Sequence, residues 1–198
     1  MSEDLARWWP EGHDTAVRDR LLAAYGEPRR GYHDLRHLAE VLQHVDELLE
    51  PGDPSREAVV LAAWFHDAVY DGRGDDEERS ARLAEEALQD PAQAADVARL
   101  VRLTTTHRPD AADRAGQVLC DADLAILASR ADRYADYVAG VRAEHASVDD
   151  AAFAAGRAAV LEDLLAKPTL FHTAAARQRW EAAARANAER EVSSLRSS

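Results

Sequence analysis

The sequence is poor in several residue types, and each shortage excludes a class of structure. Among its 198 residues there is one cysteine, Cys120, so no disulfide can form within the chain, and a reducing compartment is expected. Only three phenylalanines and seven prolines are present, and runs of valine, isoleucine and threonine are scarce. Because alanine supplies a large share of the apolar residues, the composition predicts an all-α fold with little or no sheet.

Basic residues are also few, and this limits the classes of partner. The chain carries 24 lysines and arginines against 37 acidic residues, for a net charge of -13, and its single lysine is Lys167. No cluster of basic residues resembles a nucleic-acid-binding patch, so a polymeric nucleic acid is not expected as a partner. A small anionic ligand held by a metal ion or by a few arginines is compatible with this charge.

The sequence also lacks long apolar runs. None approaches the roughly 20 residues that span a membrane, and the N-terminal stretch MSEDLARWWPEGHD has no basic start followed by an apolar core, as a signal peptide would. We therefore expect a cytoplasmic protein with no membrane partner. The length suits a single domain over residues 1–198, with a core at about 14–185 and a frayed tail at 193–198. An alanine-rich helical surface could support a homodimer.

Helix-breaking residues divide the chain into nine helical blocks. The first three are predicted from about Asp14 to Tyr25, from about His33 to Leu49, and from Asp53, as the N-cap, to near Tyr70. The others are DDEERSARLAEEALQD, PAQAADVARLVRLTTTH, QVLCDADLAILAS, ADRYADYVAGVRAEHA, a block from Ser147 to Ala166 and a last one from about Thr173. Ser147 and Asp150 resemble a capping box at the start of the eighth block.

One apolar helix contains two polar residues that need an explanation. In LAAWFHDAVYDG, residues 61–72, His66 and Asp67 lie in a helix that is apolar on nearly every side. Burying an ionised carboxylate without a partner costs several kcal/mol. A cation would neutralise Asp67 and use a lone pair of His66. A hydrogen bond to a neighbouring helix, or a turn that starts at Asp67, would explain the pair as well.

Further candidates come before and after this helix. His37 lies at the edge of the apolar stripe of the second block, where it could equally be a half-buried histidine bonded to backbone. In LCDADLAILA, residues 119–128, Asp123 is the better inward candidate, and Asp121 could be a supporting partner or a helix cap. Two imidazoles and two carboxylates would suit a divalent metal ion and leave positions open for water and substrate, as in catalytic sites.

These candidates follow the order His, His-Asp, Asp along the chain, and this order resembles the HD superfamily of metal-dependent phosphohydrolases. The segments GYHDLRHLAEVL, AAWFHDAVYD, DEERSA, LCDADLAIL and GRAAVLEDLL are similar to a subgroup of small stand-alone HD proteins that are mostly only predicted to be phosphohydrolases. The resemblance covers about residues 20–185. It implies an all-α HD-domain helical bundle with one divalent metal ion, which could be Mn, Fe, Co, Ni, Zn or Mg. The implied ligands are His37, His66, Asp67 and Asp123.

The resemblance also implies an activity, which is hydrolysis of a small phosphorylated substrate, a phosphomonoester or nucleotide, by a metal-activated water. His33 could donate to a phosphate oxygen, and His107 could act as a proton donor or a phosphate ligand; both could also be ordinary helix-end histidines. Asp71 is a candidate general base in the acidic stretch that follows the HD pair. Tyr70 stands where some HD nucleotidases carry a catalytic carboxylate, and this departure argues against nucleotidase activity of that type.

Three arginines are candidates for contact with a phosphate group: Arg36, Arg142 and Arg157. Arg157 lies in the apolar-rich segment FAAGRAAVLEDLL and therefore needs an anionic partner, which is either an acidic side chain or the substrate. A structural salt bridge is the simpler expectation for Arg157.

Two other functions stay open at this point. A non-catalytic HD domain could bind a nucleotide or metal ion, because binding needs the same ligands as turnover. A dinuclear iron oxygenase is a further alternative, since some HD-type proteins carry out that chemistry with two additional histidines between the HD pair and the final Asp. Only His107 is available in that interval, so the oxygenase is disfavoured.

Overall fold

The computed structural model describes residues 5–50 and 52–197, and this part of the chain is helical without any strand, as the composition predicted. Its nine α-helices are α1 Thr15–Tyr25, α2 Leu35–Leu48, α3 Arg56–Phe65, α4 Asp76–Ala87, α5 Pro91–Leu103, α6 Arg114–Leu124, α7 Ala131–Glu144, α8 Asp150–Leu165 and α9 Ala174–Leu195. Short 3-10 segments cover Ala6–Trp8 and Ala125–Ala128. Among the described residues, no helix has both the length and the apolarity needed to cross a membrane.

Helix α3 lies at the centre of the core. It packs against α2, α5 and α6, and every residue from Val59 to Phe65 is buried. This contact on several sides explains why α3 has almost no polar face. Helix α2 contributes a single apolar stripe, so one of its faces packs inward and the other is solvated: the buried residues are His37, Leu38, Val41, Leu42, Val45 and Leu48. Each large apolar side chain buried in this way stabilises the fold by about 1.5–3 kcal/mol.

Both ends of α3 differ from the prediction. Asp53 is not its N-cap; the Asp53 carboxylate accepts hydrogen bonds from the backbone N–H and hydroxyl of Ser55, which makes a turn, and the helix begins only at Arg56. The helix ends at Phe65 rather than near Tyr70. Two backbone N–H groups that would continue the helix instead donate to side chains from other parts of the chain, that of Asp67 to the hydroxyl of Tyr25 and that of Val69 to the hydroxyl of Ser80.

One prediction in the C-terminal half also needs correction. Asp149 is the N-cap of α8, since its carboxylate accepts from the backbone N–H groups of Ala151 and Ala152, so the expected capping box of Ser147 with Asp150 is wrong. Helix α9 continues to Leu195, which packs partly against the core, so much of the tail that we expected to be frayed is helical. Ser198, the last residue of that tail, lies outside the described residues.

The loop between α1 and α2 lies directly against α7. A Cβ atom added at Gly31 would lie 2.5 Å from the carbonyl oxygen of Gly140, and one added at Gly140 would lie 2.5 Å from the carbonyl oxygen of Gly31. Only glycine at both positions permits this backbone approach. The contact places the residues just before α2, among them Tyr32 and His33, beside the C-terminal half of α7.

Candidate metal centre

Four polar side chains from three helices converge inside the bundle. The Nε2 atoms of His37, from α2, and of His66, at the end of α3, lie 3.0 Å apart. Oδ2 of Asp67 lies 3.2 Å from the first nitrogen and 3.0 Å from the second. Oδ1 of Asp123, near the end of α6, lies 3.3 Å and 3.6 Å from the same two nitrogens. The structure therefore brings together the four residues that the motif order singled out, and we call them the His/Asp cluster.

The way α3 ends orients His66 and Asp67. Nδ1 of His66 lies 2.7 Å from the carbonyl oxygen of Ala63, which can only accept, so Nδ1 donates there and Nε2 is the atom that faces the cluster. The buried guanidinium of Arg30 donates to the carbonyl oxygens of Asp67 at 2.6 Å and Ala68 at 2.9 Å. These bonds satisfy carbonyl groups at the end of α3. No local pattern marked Arg30, because its partners lie 37 and 38 residues away.

The charges of the His/Asp cluster balance within it. Burial alone would raise the pKa of each carboxyl group and lower the pKa of each imidazole. The neighbouring imidazoles outweigh burial and hold the pKa of Asp67 and of Asp123 well below the ordinary value. The two carboxylates in turn raise the pKa of His37, and they raise that of His66 well above its ordinary value. The carboxylates are therefore anions, and they require positive charge beside them.

The donor set fits a divalent metal ion. One atom each from His37, His66 and Asp123 can be chosen so that all three lie within 4.8 Å of one another, and Asp67 contacts both imidazole nitrogens. Imidazole nitrogens and carboxylate oxygens together suit first-row divalent ions. A bound dication would replace the protons on the two imidazoles as the positive charge that balances the two carboxylates.

His107, which could have been an ordinary helix-end histidine or a residue that reaches the site, lies next to this cluster. Its Nε2 is 2.8 Å from Oδ2 of Asp123. The backbone of His107 has φ of +50°, a left-handed conformation that costs a non-glycine residue about 1–3 kcal/mol. Lys167 stabilises this turn, since its ammonium group donates to the carbonyl oxygens of Thr106 at 2.9 Å and His107 at 3.1 Å.

His33 is held on the other side of the cluster by Glu144. Oε1 of Glu144 accepts from the backbone N–H groups of Gly31, Tyr32 and His33, each at 2.9 Å, and Oε2 lies 2.8 Å from Nδ1 of His33. Burial would raise the pKa of Glu144, but the His33 contact and these N–H groups lower it to about 2. Sequence reasoning missed Glu144 because its partners lie 111–113 residues away.

A cavity of about 1010 Å³ opens beside the His/Asp cluster. Asp67 and Asp123 line it together with His33 and His107, so groups from the cluster and from both of its neighbours face one space. Tyr70, the departure from the nucleotidase pattern, also lines it and stacks on His33 with ring centroids 3.9 Å apart. A volume of this size is typical of pockets that bind small organic molecules.

Asp71 is not brought to this cavity. Its carboxylate lies 2.9 Å from the guanidinium of Arg79, and it is not among the residues that line the space. Glu77, from the same acidic stretch, does line the cavity. The acid that faces the cavity is therefore six positions further along the chain than the one we selected, because α4 begins at Asp76 and turns Glu77 inward.

The three arginine candidates occupy different environments. Arg36 is exposed, where it pairs with Glu40 and Asp136, and Arg142 donates to the carbonyl oxygen of His145 and to Asp150; neither lines the cavity. Arg157 does line it, and it is bound by Glu191 at 2.8 Å and by the hydroxyl of Tyr137 at 2.5 Å. The anionic partner expected for Arg157 is thus supplied by the protein: Glu191, on α9.

Asp121 lies on the other side of α6 from the cluster and binds the backbone that leads into α9, whose N-cap is Thr173. Its side chain is fully buried, and its two oxygens accept from the backbone N–H groups of His172 and Thr173, each at 2.7 Å, at the start of α9. Burial raises the pKa of Asp121 despite these hydrogen bonds. Asp121 is therefore not the N-cap of α6, which is Asp113, or of α9, which is Thr173.

None of the family models, curated proteins or solved structures searched matches this chain. The resemblance to HD phosphohydrolases therefore rests on the order and context of the motif residues. What the structure adds is the convergence of those residues on one point at the wall of a cavity.

Proposed function

We propose that this protein is a metal-dependent hydrolase of a small phosphorylated substrate. The observation that carries the proposal is the meeting of two imidazoles and two carboxylates, all largely buried, at the wall of a cavity large enough for a small molecule. The proposed ligands are His37, His66, Asp67 and Asp123. A divalent ion held there would supply Lewis acidity, which polarises a phosphoryl oxygen and activates a water for attack on phosphorus.

The other residues that line the cavity have proposed roles that follow from their partners. Asp123 orients His107, which can give a proton to the oxygen of the leaving alcohol. Glu144 occupies Nδ1 of His33, so that Nε2 is the atom through which His33 can bind a phosphoryl oxygen. Glu77 replaces Asp71 as the acid that can accept a proton from the attacking water. Hydrolysis breaks the bond between phosphorus and the leaving oxygen, and water supplies the new oxygen on phosphorus and the proton on the alcohol.

Metal analysis combined with a phosphate-release screen tests this function. We expect the purified protein to hold about one divalent ion per chain and to release phosphate from at least one phosphomonoester or nucleotide. Asp67→Ala should lose most of the metal and the activity, because the cation loses one anionic ligand. The control is Asp132→Ala, which removes a carboxylate that is 79% exposed on α7, and it should retain both.

Two outcomes would contradict the proposal in different ways. Unchanged metal content in Asp67→Ala would show that the residue is not a ligand. Bound metal in the unaltered protein without phosphate release from any substrate of the screen would refute hydrolysis, and it would favour the non-catalytic binding of a nucleotide or metal ion.

A further inference from the structure

The cavity beside the His/Asp cluster has an apolar wall that the proposed chemistry does not use. Helix α8 supplies it, through residues that recur at intervals of three and four and so share one face of the helix. They are Ala152, Phe153, Gly156, Ala159, Val160 and Leu164. The same continuous space of about 1010 Å³ is lined by Asp67 and Asp123, so one molecule could touch this wall and the cluster at once.

Two apolar side chains that line this cavity, one in the wall and one just before α8, are unusually exposed for their type. Within the described part of the chain, the large apolar side chains left exposed are Val148, at 37%, and Val160, at 55%, and both line this cavity. A single exposed valine is ordinary on a protein surface. Two at one cavity, with no other such side chain among the described residues, indicate a surface that is covered when a ligand binds.

The positive groups of the cavity are already neutralised by the protein. Arg108 forms an ion pair with Asp163 at 2.9 Å, and Arg157 forms one with Glu191 at 2.8 Å. Arg108 and Arg157 could neutralise the further phosphate groups of a polyphosphate ligand only if that ligand displaced the acidic side chains now paired with them. The cavity is therefore better matched to one phosphate at the cluster and an uncharged remainder.

The wall also has room for a larger group at its centre. A Cβ atom added at Gly156 would meet no atom within 4 Å, so the space in front of this residue is open. A phosphate group alone would leave most of the cavity unfilled, and water against Phe153 and Val160 would cost free energy that an apolar ligand group recovers.

From these observations we infer the substrate class: a phosphomonoester of an alkyl or aryl alcohol, whose phosphate binds at the His/Asp cluster and whose apolar group binds the α8 wall. This inference rests on the proposed function for the role of the cluster. It adds the occupant of the rest of the cavity, which neither the motif nor the metal ligands define.

Binding of alkylphosphonates tests the inference without relying on turnover, because their carbon–phosphorus bond is not hydrolysed in this way. Affinities of ethyl-, butyl- and hexylphosphonate for the protein as purified can be measured by calorimetric titration. We expect the Kd to fall at least about tenfold from ethyl to hexyl, since each buried methylene adds to the affinity. Val160→Asp should abolish most of this dependence on chain length, because it places a charge in the apolar wall.

Two further variants distinguish an effect on the apolar wall from a general effect on α8. Ala155→Asp introduces the same charge at an exposed neighbour on α8 that does not line the cavity, and it should keep the dependence on chain length. Gly156→Leu fills the open space, so it should weaken hexylphosphonate binding several-fold while ethylphosphonate binding stays unchanged.

Several results would overturn the inference. Equal affinity for ethyl- and hexylphosphonate would do so, and so would an identical response of Val160→Asp and Ala155→Asp. A dimer that dissociates in Val160→Asp, without any dependence on chain length, would show that the wall is a contact between copies of the chain. The phosphate-release screen described above separates these results from the proposed function. If the protein releases phosphate in that screen, the hydrolase function stays intact in each of these cases. If phosphonate affinity depends on chain length but the screen detects no phosphate release, the hydrolase function is refuted and the apolar site remains.

Discussion

Four shielded carboxylates of this protein form two groups with different partners. At the His/Asp cluster, Asp67 and Asp123 face imidazole rings. At helix junctions nearby, Asp121 and Glu144 accept hydrogen bonds from backbone N–H groups. The negative charges of Asp121 and Glu144, the junction carboxylates, are therefore stabilised by backbone groups that the fold itself provides. The cluster carboxylates depend on ionised side chains, which a cation could replace.

Asp121 and Asp123 show this difference at positions two residues apart. Burial raises the pKa of Asp121, while the pKa of Asp123 is held well below the ordinary value by three histidines. Both belong to α6, so helix propensity does not distinguish them. Asp121 therefore stabilises the backbone that leads into α9, whereas Asp123 is available to bind a ligand.

The largest expected effect on stability is at Asp121. Asp121→Ala would leave the backbone N–H groups of His172 and Thr173 unpaired in the interior, and it should lower the free energy of unfolding by about 2–4 kcal/mol. Metal content should not change. Asp123→Ala should give the opposite pattern, with metal lost. Urea unfolding and elemental analysis of both variants measure the two effects, and a folded Asp121→Ala that had lost its metal would remove the distinction.

A smaller effect, dependent on pH, is expected at Glu144. Because its pKa is about 2 in the fold and about 4.5 otherwise, its stabilisation is complete above about pH 4.5 and is lost as the pH falls toward 2. Glu144→Gln should therefore cost about 2 kcal/mol at pH 7, less than the full pKa difference because the amide oxygen can still accept hydrogen bonds. Urea unfolding at pH 7, 5 and 3.5 should show the two proteins approaching each other at the lowest pH. A difference that did not change with pH would mean that the charge of Glu144 is unimportant.

The smallest effect on stability should come from the side chain of Tyr32, which, unlike the backbone N–H of this residue, belongs to neither region. Its buried hydroxyl has no hydrogen-bond partner within the described chain, and the residue lines the cavity. Tyr32→Phe should change the free energy of unfolding by less than about 0.5 kcal/mol, because no hydrogen bond is lost. Burial raises the pKa of Tyr32 well above its ordinary value, so the hydroxyl is a donor at neutral pH.

Ligand binding gives the second half of the Tyr32 prediction. If the free hydroxyl donates to a bound phosphoryl oxygen, Tyr32→Phe should weaken ethylphosphonate binding about fivefold, as measured by calorimetric titration. A variant that is clearly destabilised but binds ethylphosphonate normally would show that the hydroxyl has a structural partner instead. That result would place Tyr32 with the junction residues.

Most of the helices and the four cluster residues were predictable from sequence. The apolar stripe of α2 and the apolar residues of α3 are periodic, and periodicity over one helix is visible in a short window. The order of His37, His66 and Asp123 was informative because it resembles a family pattern. The positions of Asp71 and Arg36 were not predictable, since an acidic run or a lone arginine carries no signal for which side chain faces a cavity.

Helix ends and supporting residues were the least predictable features. The turn after α3 is held by Arg30, and the orientation of His33 depends on Glu144; both contacts join distant parts of the chain. Asp53 is a residue type that commonly caps helices, but its carboxylate accepts hydrogen bonds from Ser55 in a turn instead. Local patterns do not contain such contacts.

The amino-acid sequence alone determined that the chain is helical and which side chains could bind a cation, because propensity, periodicity and residue chemistry are properties of short segments. Packing decided which carboxylates bind backbone and which face histidines, and it decided that α8 completes the cavity with an apolar wall. The reason is that a buried charge is governed by whatever lies within a few ångströms of it, and for Asp121, Asp123 and Glu144 those neighbours come from remote parts of the chain.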